Sequence, residues 1–318
     1  MTTYLITGGA GFIGSHLVDA VLLRGDYVRI FDNLSTGSDA NLAHLSDRAD
    51  LGERLEFREG DIRDLNAVRA AMEDVDYVLH HAALSSVPLS LRHPERANAI
   101  NVGGTLNVLI AAHEAGVRRV VYASSSSVYG EAPELPKDEE MIPNPCSPYA
   151  VSKYAGELYC RVFTRVYGLE TVCLRYFNVF GPRQDPSSPY SAVIPLFVDR
   201  LLRGETFYVH GDGEQTRDFA FVSDIVQANL LACEAPNVAG ETFNVARGEQ
   251  ISINKLLELI QGIMKCEADI APDDPRPGDI RHSLADISKA RRLLGYNPSV
   301  DLKTGLHKTI KWMQTAMK

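Results

Sequence analysis

The amino-acid sequence reads as an α/β protein, with a doubly wound parallel sheet and a smaller α/β substrate lobe in its second half. Three observations predict this. Through the first third, short apolar runs alternate with stretches whose apolar residues recur at helical spacing, the rhythm of βαβ units. The first run passes into a helix through a glycine-rich turn, Gly8-Gly9-Ala10-Gly11-Phe12-Ile13-Gly14. And 318 residues, 45% of them hydrophobic, suffice for a large buried core and roughly two domains.

Taken in order, residues 4–7 form an apolar strand and residues 12–23 the helix behind the glycine turn. Residues 27–31 give a second strand, closed by Asp32-Asn33, and residues 55–58 a third, ended by Glu59-Gly60-Asp61. Residues 75–80 and 117–123 read as two more, with one long helix over 94–115 between them. A helix starts near Tyr149, and residues 172–176 form another strand. The rhythm then loosens into loops rich in Pro, Gly, Ser and Asp (181–190 and 271–279), with helices at 194–203, 222–235, 253–265 and 288–294. This places a nucleotide-binding domain at 1–175 and a substrate domain at 176–318, with a segment near 220–245 returning to the first. The chain carries no internal repeat and no low-complexity linker.

Composition excludes several classes. Gly (24) and Pro (16) are at ordinary levels, which argues against a collagen or a disordered chain. Five cysteines without a C-x-x-C pair fit a reducing cytoplasm and no disulfide scaffold. No apolar stretch approaches the ~18 residues of a membrane helix, and the N-terminal run lacks the basic leader of a signal peptide. A net charge of −9 disfavours nucleic acid and anionic lipid as partners, so any polyanionic ligand needs a local cluster of positive charge.

The glycine turn has the context a dinucleotide site needs: a strand before it, a helix after it, and an acid at the end of the second strand. Glycines at 8, 11 and 14 let backbone N–H groups approach a pyrophosphate at the helix N-terminus. Asp32 can accept hydrogen bonds from both ribose hydroxyls and would repel a 2′-phosphate, which favours NAD over NADP. Asp61-Ile62 and Ala82-Ala83 end successive strands, where open α/β sheets bind ligands.

Tyr149 and Lys153 stand four residues apart and share one face of a helix. A phenol titrates near 10, and an ammonium with a cationic nicotinamide ring beside it lowers that value, giving a general base or acid for an alcohol. Ser125, in the Ser124–Ser127 tract after the fifth strand, supplies a hydroxyl for the same substrate oxygen.

These motifs in order (TGGAGFIGSHL, DN, GDI, HAA, SSSSVYG, SPYAVSKYAGE, LRYFNVFGPRQ, GDGEQTRDF, RPGDIRHSLADISKA) span essentially the whole chain. The sequence resembles the extended short-chain dehydrogenase/reductase family and, within it, the nucleotide-sugar 4-epimerases. The resemblance implies a Rossmann-type domain holding NAD tightly, a smaller domain holding a UDP-sugar, a Ser125–Tyr149–Lys153 triad, a homodimer built on the helix within 94–115 and that near Tyr149, and no metal. It also implies cofactor contacts from Phe12, Ile13, Asn33 and Tyr176. Ser85, Ser127, Asn178, Arg217, Arg276, Asp279 and Ser283 are implied as substrate contacts, with the two arginines on the diphosphate. Residues 192–194, with Ala192 and Val193, and residues 208–210, with Tyr208 and His210, resemble the uracil pocket; outside that role His210 reads as structural, and it is assigned no catalysis.

Related dehydratases carry an Asp-Glu pair before V-Y-G, and decarboxylases keep a Glu there; this chain has Ser126-Ser127, which disfavours elimination. The implied reaction is epimerisation at C4 through a 4-keto sugar, with no net redox change. In this family a Tyr at the position of Ser283 closes the pocket against a 2-acetamido group, so the small Ser283 implies UDP-N-acetylglucosamine/UDP-N-acetylgalactosamine and also UDP-glucose/UDP-galactose as substrates. The alternatives are a UDP-glucose 4-epimerase with little N-acetyl activity, a uronic-acid epimerase or decarboxylase, and a non-catalytic NAD-binding scaffold.

Overall fold

The computed structural model describes residues 1–46, 48, 51–131, 133–186, 192–274 and 280–316. Its strands are β1 (Thr3–Thr7), β2 (Tyr27–Asp32), β3 (Leu55–Glu59), β4 (Tyr77–His80), β5 (Arg119–Ser125), β6 (Glu170–Tyr176), β7 (Asn178–Phe180), β8 (Phe207–His210), β9 (Thr216–Phe221), β10 (Thr242–Val245), β11 (Gln250–Ser252) and β12 (Ile270–Asp273). Its α-helices are α1 (Phe12–Leu23), α2 (Leu65–Ala71), α3 (Val87–Arg92), α4 (Pro94–Asn98), α5 (Thr105–Glu114), α6 (Pro148–Val162), α7 (Val193–Arg203), α8 (Val222–Glu234), α9 (Ile253–Met264), α10 (Ser288–Leu294) and α11 (Leu302–Ala316).

Seven parallel strands form the main sheet in the order β10-β6-β5-β4-β1-β2-β3. Alternate side chains enter opposite layers, as the two-residue period of a strand requires. Tyr4 and Ile6 pack with Leu17, Val18 and Val21 of α1, whereas Leu5 packs with Val68 of α2 and Val108 of α5. Both faces are covered, which explains why these strands read as apolar runs. The chain order reverses between β1 and β4, so a crevice opens where Thr7 of β1 lies level with His80 of β4 and Phe31 of β2.

A second layer is built from β7, β9 and β11 (order β11-β9-β7) and the pair β12-β8, with α7, α9 and α11. Its core is Phe180, Phe197, Phe219, Leu256 and Ile310. The chain returns to the main sheet through β10, which pairs with β6, and α8, which packs over β5 and β6.

Two expectations change. The single helix over 94–115 is interrupted: α4 leads into a wide π-helical turn, Ala99–Gly104, before α5 begins. Asn101, buried in that turn, bonds Leu84 and Ser152, and a Cβ on Gly104 would lie 2.5 Å from the Ile62 side chain. The wide turn thus reconciles tertiary bonds with helical continuity. The loop expected from 271 begins instead within β12, paired parallel with β8.

Candidate active site

The glycine turn is set by close approach. Gly8 has φ +71° and a Cβ there would lie 2.7 Å from the Ala82 nitrogen; a Cβ on Gly14 would lie 2.1 Å from the Gly8 carbonyl oxygen. Only glycine lets α1 pack this tightly on the turn. Gly11 stands at the N-cap of α1, so the first N–H groups of the helix face the crevice. Phe12 and Ile13 are half-buried in the first turn of α1, and Ile13 reaches the neighbouring cleft. At the end of β2 the Asp32 carboxylate accepts from Ala10 N (3.0 Å) and Leu34 N (2.9 Å), which fixes it beside the glycines. Asn33 donates to Asp61 at 2.8 Å, and Arg63 grips the same carboxylate at 2.9 and 2.7 Å, holding Asp61 well below the ordinary carboxylate range. Ile62 is buried next to them, and Ala82 and Ala83 line up beyond β4, with Ala82 N donating to Thr7. This cradle, without Cβ atoms at Gly8, Gly9, Gly11 and Gly14 and closed by an acid at the ribose end, fits a dinucleotide with an unphosphorylated ribose.

The proposed reacting groups lie on α6 and at the end of β5. Ser147 caps α6 by accepting from Ala150 N at 3.1 Å, and Pro148 occupies the first turn. Lys153 is buried one turn beyond Tyr149. Its Nζ donates to the Ala123 carbonyl at 2.8 Å and sits 6.0 Å from the centre of the Tyr149 ring. Burial lowers the Lys153 ammonium to about 8. Burial raises the Tyr149 phenol, and its hydrogen bond with Ser125 pulls the other way. Ser125 Oγ also accepts from Ser127 N at 3.2 Å. Ser127 Oγ is buried with no hydrogen-bond partner among the described residues.

A cleft of about 680 Å³ opens over this constellation, between the two layers. Of the residues singled out in the sequence, Ser85, Ser125, Tyr149, Tyr176, Asn178, Ala192, Val193, Tyr208 and Arg217 line it. Ser126, not Ser127, forms the wall after Ser125. Tyr176 bonds Asn229 and His81, and burial raises its hydroxyl. Asn178 donates to the Asp218 carbonyl, and Arg217 Nη1 donates to the Thr216 carbonyl at 2.9 Å. Ser283 lies outside the cleft lining, fastened to β9 through Ser283 N to Thr216 O at 3.1 Å. Buried Asp218 reinforces that seam by accepting from Arg247, Gly248 and Ala285 N–H groups. Arg276 and Asp279 lie outside the described residues.

The far end of the cleft holds a residue the sequence did not single out: Asp273, whose carboxylate lies 3.2 Å from Nδ1 of His210, and His210, in the segment resembling the uracil pocket, lines the cleft beside it. The signal lies in the pairing of β8 with β12, two four-residue strands some sixty positions apart, which no local pattern announces. Among the described lining residues Asp273 is the sole carboxylate, and no acid faces Tyr149. The near end can therefore move a proton at an alcohol through a phenol and a hydroxyl, but lacks the carboxyl pair that elimination requires.

The sequence profile described as the NAD-dependent epimerase/dehydratase family matches residues 4–246. A UDP-glucose 4-epimerase of Mycolicibacterium smegmatis is 40% identical over 312 residues, covering 98% of each chain. Among solved structures, a UDP-N-acetylglucosamine 4-epimerase of Methanobrevibacter ruminantium, in complex with UDP-N-acetylmuramic acid, superposes with a TM-score of 0.94 at 43% identity over 99% of each chain. A UDP-glucose 4-epimerase of Thermotoga maritima, with UDP-glucose, gives 0.93 at 38% identity over 100% of each chain.

Proposed function

The chain belongs to the NAD-dependent epimerase/dehydratase family, and on that premise we propose that it is a UDP-sugar 4-epimerase. It interconverts UDP-N-acetylglucosamine with UDP-N-acetylgalactosamine and also UDP-glucose with UDP-galactose. One observation carries this reading: Ser125 and Tyr149 line one cleft, with the Lys153 ammonium buried behind Tyr149, and among the described lining residues no carboxylate stands at that end.

NAD, held by the glycine cradle and Asp32, supplies the two-electron acceptor and donor at C4. Tyr149, ionised, takes the proton of the 4-hydroxyl and later returns it. Ser125 holds the same oxygen while charge develops on it. Lys153, fixed by the Ala123 carbonyl with its ammonium 6.0 Å from the Tyr149 ring centre, presents positive charge that favours the phenolate against the rise burial causes. Arg217 and Arg276 anchor the diphosphate with planar, permanently charged forks while the 4-keto sugar turns to present its other face. They supply local positive charge in a chain of net charge −9.

Ser283 stands outside the cleft lining but is bonded to Thr216, next to the cleft-lining Arg217, and on this reading its small side chain leaves room for a 2-acetamido group without excluding glucose. Replacing it with Tyr is expected to lower kcat/KM for UDP-N-acetylglucosamine by roughly 10–200-fold, the effect of losing one well-fitted contact, while UDP-glucose stays within a few-fold. Parallel assays on both sugars check this, and equal losses on both would remove Ser283 from the specificity argument.

The protein also acts as a homodimer in the cytoplasm on this reading. The face formed by α5, α6 and the turn after it leaves Leu158 41%, Val162 46%, Val166 69% and Tyr167 50% exposed, an apolar stripe suited to a second copy. Val162→Glu is expected to convert a dimer into a monomer by light scattering, and an unchanged mass would locate the interface elsewhere. The described cysteines are all free, as a reducing compartment requires, and no helix among the described residues is long and apolar enough to cross a membrane.

A further inference from the structure

We propose that Ser90 is a positioning residue that ties the turn touching the sugar to the backbone of Tyr149; this deepens, and rests on, the 4-epimerase reading above. Tyr149 is the second residue of α6, where a backbone N–H has no partner within the helix. Ser147 satisfies Ala150 N instead. The Tyr149 N–H is taken by Ser90, 59 positions earlier, whose Oγ accepts it at 3.0 Å. Ser90 donates its own proton to the Val87 carbonyl at 2.7 Å, which leaves its lone pairs free for Tyr149 and fixes the polarity of the contact. The side chain is fully buried, so water has no access to replace it.

The carbonyl of Tyr149 is tied to the same turn by a second route. Ser152 Oγ donates to Tyr149 O at 2.7 Å and accepts from Asn101 Nδ2 at 2.9 Å. Asn101 in turn bonds both backbone groups of Leu84, at 2.8 and 3.1 Å. Both backbone polar groups of Tyr149 thus lead to residues 84–90, and Ser85 in that segment lines the cleft. A sugar settling against Ser85 bears on the position of the phenol that takes its proton. Removing Ser90 Oγ frees the Tyr149 turn to drift from Lys153 while leaving the glycine cradle and the diphosphate anchors untouched.

The test compares wild-type and Ser90→Ala holoenzymes over a range of pH. Expected for Ser90→Ala are a kcat roughly tenfold lower, as for a sub-ångström misplacement of a reacting group, a KM for the UDP-sugar within about twofold, unchanged NAD content, and an acid limb of kcat moved to higher pH. Ser86→Ala, which removes only the cap of α3 at Leu89 N, is expected to leave the pH profile in place. Ser90→Ala with wild-type kcat and pH profile, whatever its melting temperature, overturns the proposal, because the bond then serves packing alone. If Ser90→Ala does not fold, Ser90→Cys decides: it keeps the volume and weakens the acceptor, so a lower kcat with a shifted limb is expected and wild-type values refute the role. If the wild type itself turns over no UDP-sugar, the 4-epimerase reading fails separately. Ionisation of Tyr149, followed by phenolate absorbance against a Tyr149→Phe blank, then makes the same comparison: a higher apparent pKa in Ser90→Ala supports the tie and an unchanged one refutes it.

Discussion

Tyr149→Phe is expected to lower kcat by about 10³-fold, within the range that a positioned acid–base group contributes, while NAD and UDP-sugar remain bound. The substitution keeps the ring and its place near Lys153 and removes only the hydroxyl, which shares the cleft with Ser125. In the wild type the phenol is raised by burial, and on the reading proposed above two neighbours work against that rise. One is the Ser125 hydroxyl, and the other is the Lys153 ammonium, itself lowered to about 8 by burial. Single-turnover conversion of a UDP-sugar, with NAD content measured on the same sample, separates chemistry from binding. A variant that retains more than a tenth of wild-type kcat would assign the proton transfer to another group.

Gly14→Ala is expected to abolish retention of NAD through purification and to lower the melting temperature. The new Cβ would lie 2.1 Å from the Gly8 carbonyl oxygen and 2.8 Å from the Gly9 Cα, both backbone atoms that cannot swing aside. Relief requires α1 to move away from the glycine turn, which opens the pyrophosphate cradle; overpacking of this kind costs about 1–3 kcal/mol or more. Gly103→Ala is the internal comparison. Nothing lies within 4 Å of a Cβ at that position, so near-wild-type stability and NAD content are expected. Chromatographic NAD content and thermal unfolding check both variants, and NAD retained by Gly14→Ala would show that this close packing is dispensable.

The main sheet was legible in the sequence because its strands are buried on both faces. Runs such as residues 4–6 and 120–123 are apolar throughout, and the glycine turn fixes where the first strand yields to a helix. The helix over 94–115 was legible in extent but not in its wide turn, because the cause is tertiary: Asn101 reaches Leu84 and Ser152, and Gly104 meets Ile62. The second layer was the least legible. Strands β7, β8, β11 and β12 have three or four residues each, too few for a period to emerge, and β12 depends on a partner far away in sequence. The same division holds in the site. Tyr149 and Lys153 announce themselves by helical spacing and Gly8 to Gly14 by a turn, whereas Ser90 looks like any helix serine until α3 is laid against α6. Ser126 and Ser127 show the limit of local reading: adjacent in sequence, they fall on opposite sides of the cleft wall.

The central claim, epimerisation at C4 with no net oxidation, is tested most directly with UDP-N-acetylglucosamine and UDP-glucose deuterated at C4. Each is given to the purified protein without added cofactor, and the products are read by NMR. The expected result is the 4-epimer of each sugar with deuterium kept at C4, since the electrons removed there return to the same carbon. An eliminated or decarboxylated product, loss of the label to water, or no conversion of either sugar even with NAD supplied would contradict it.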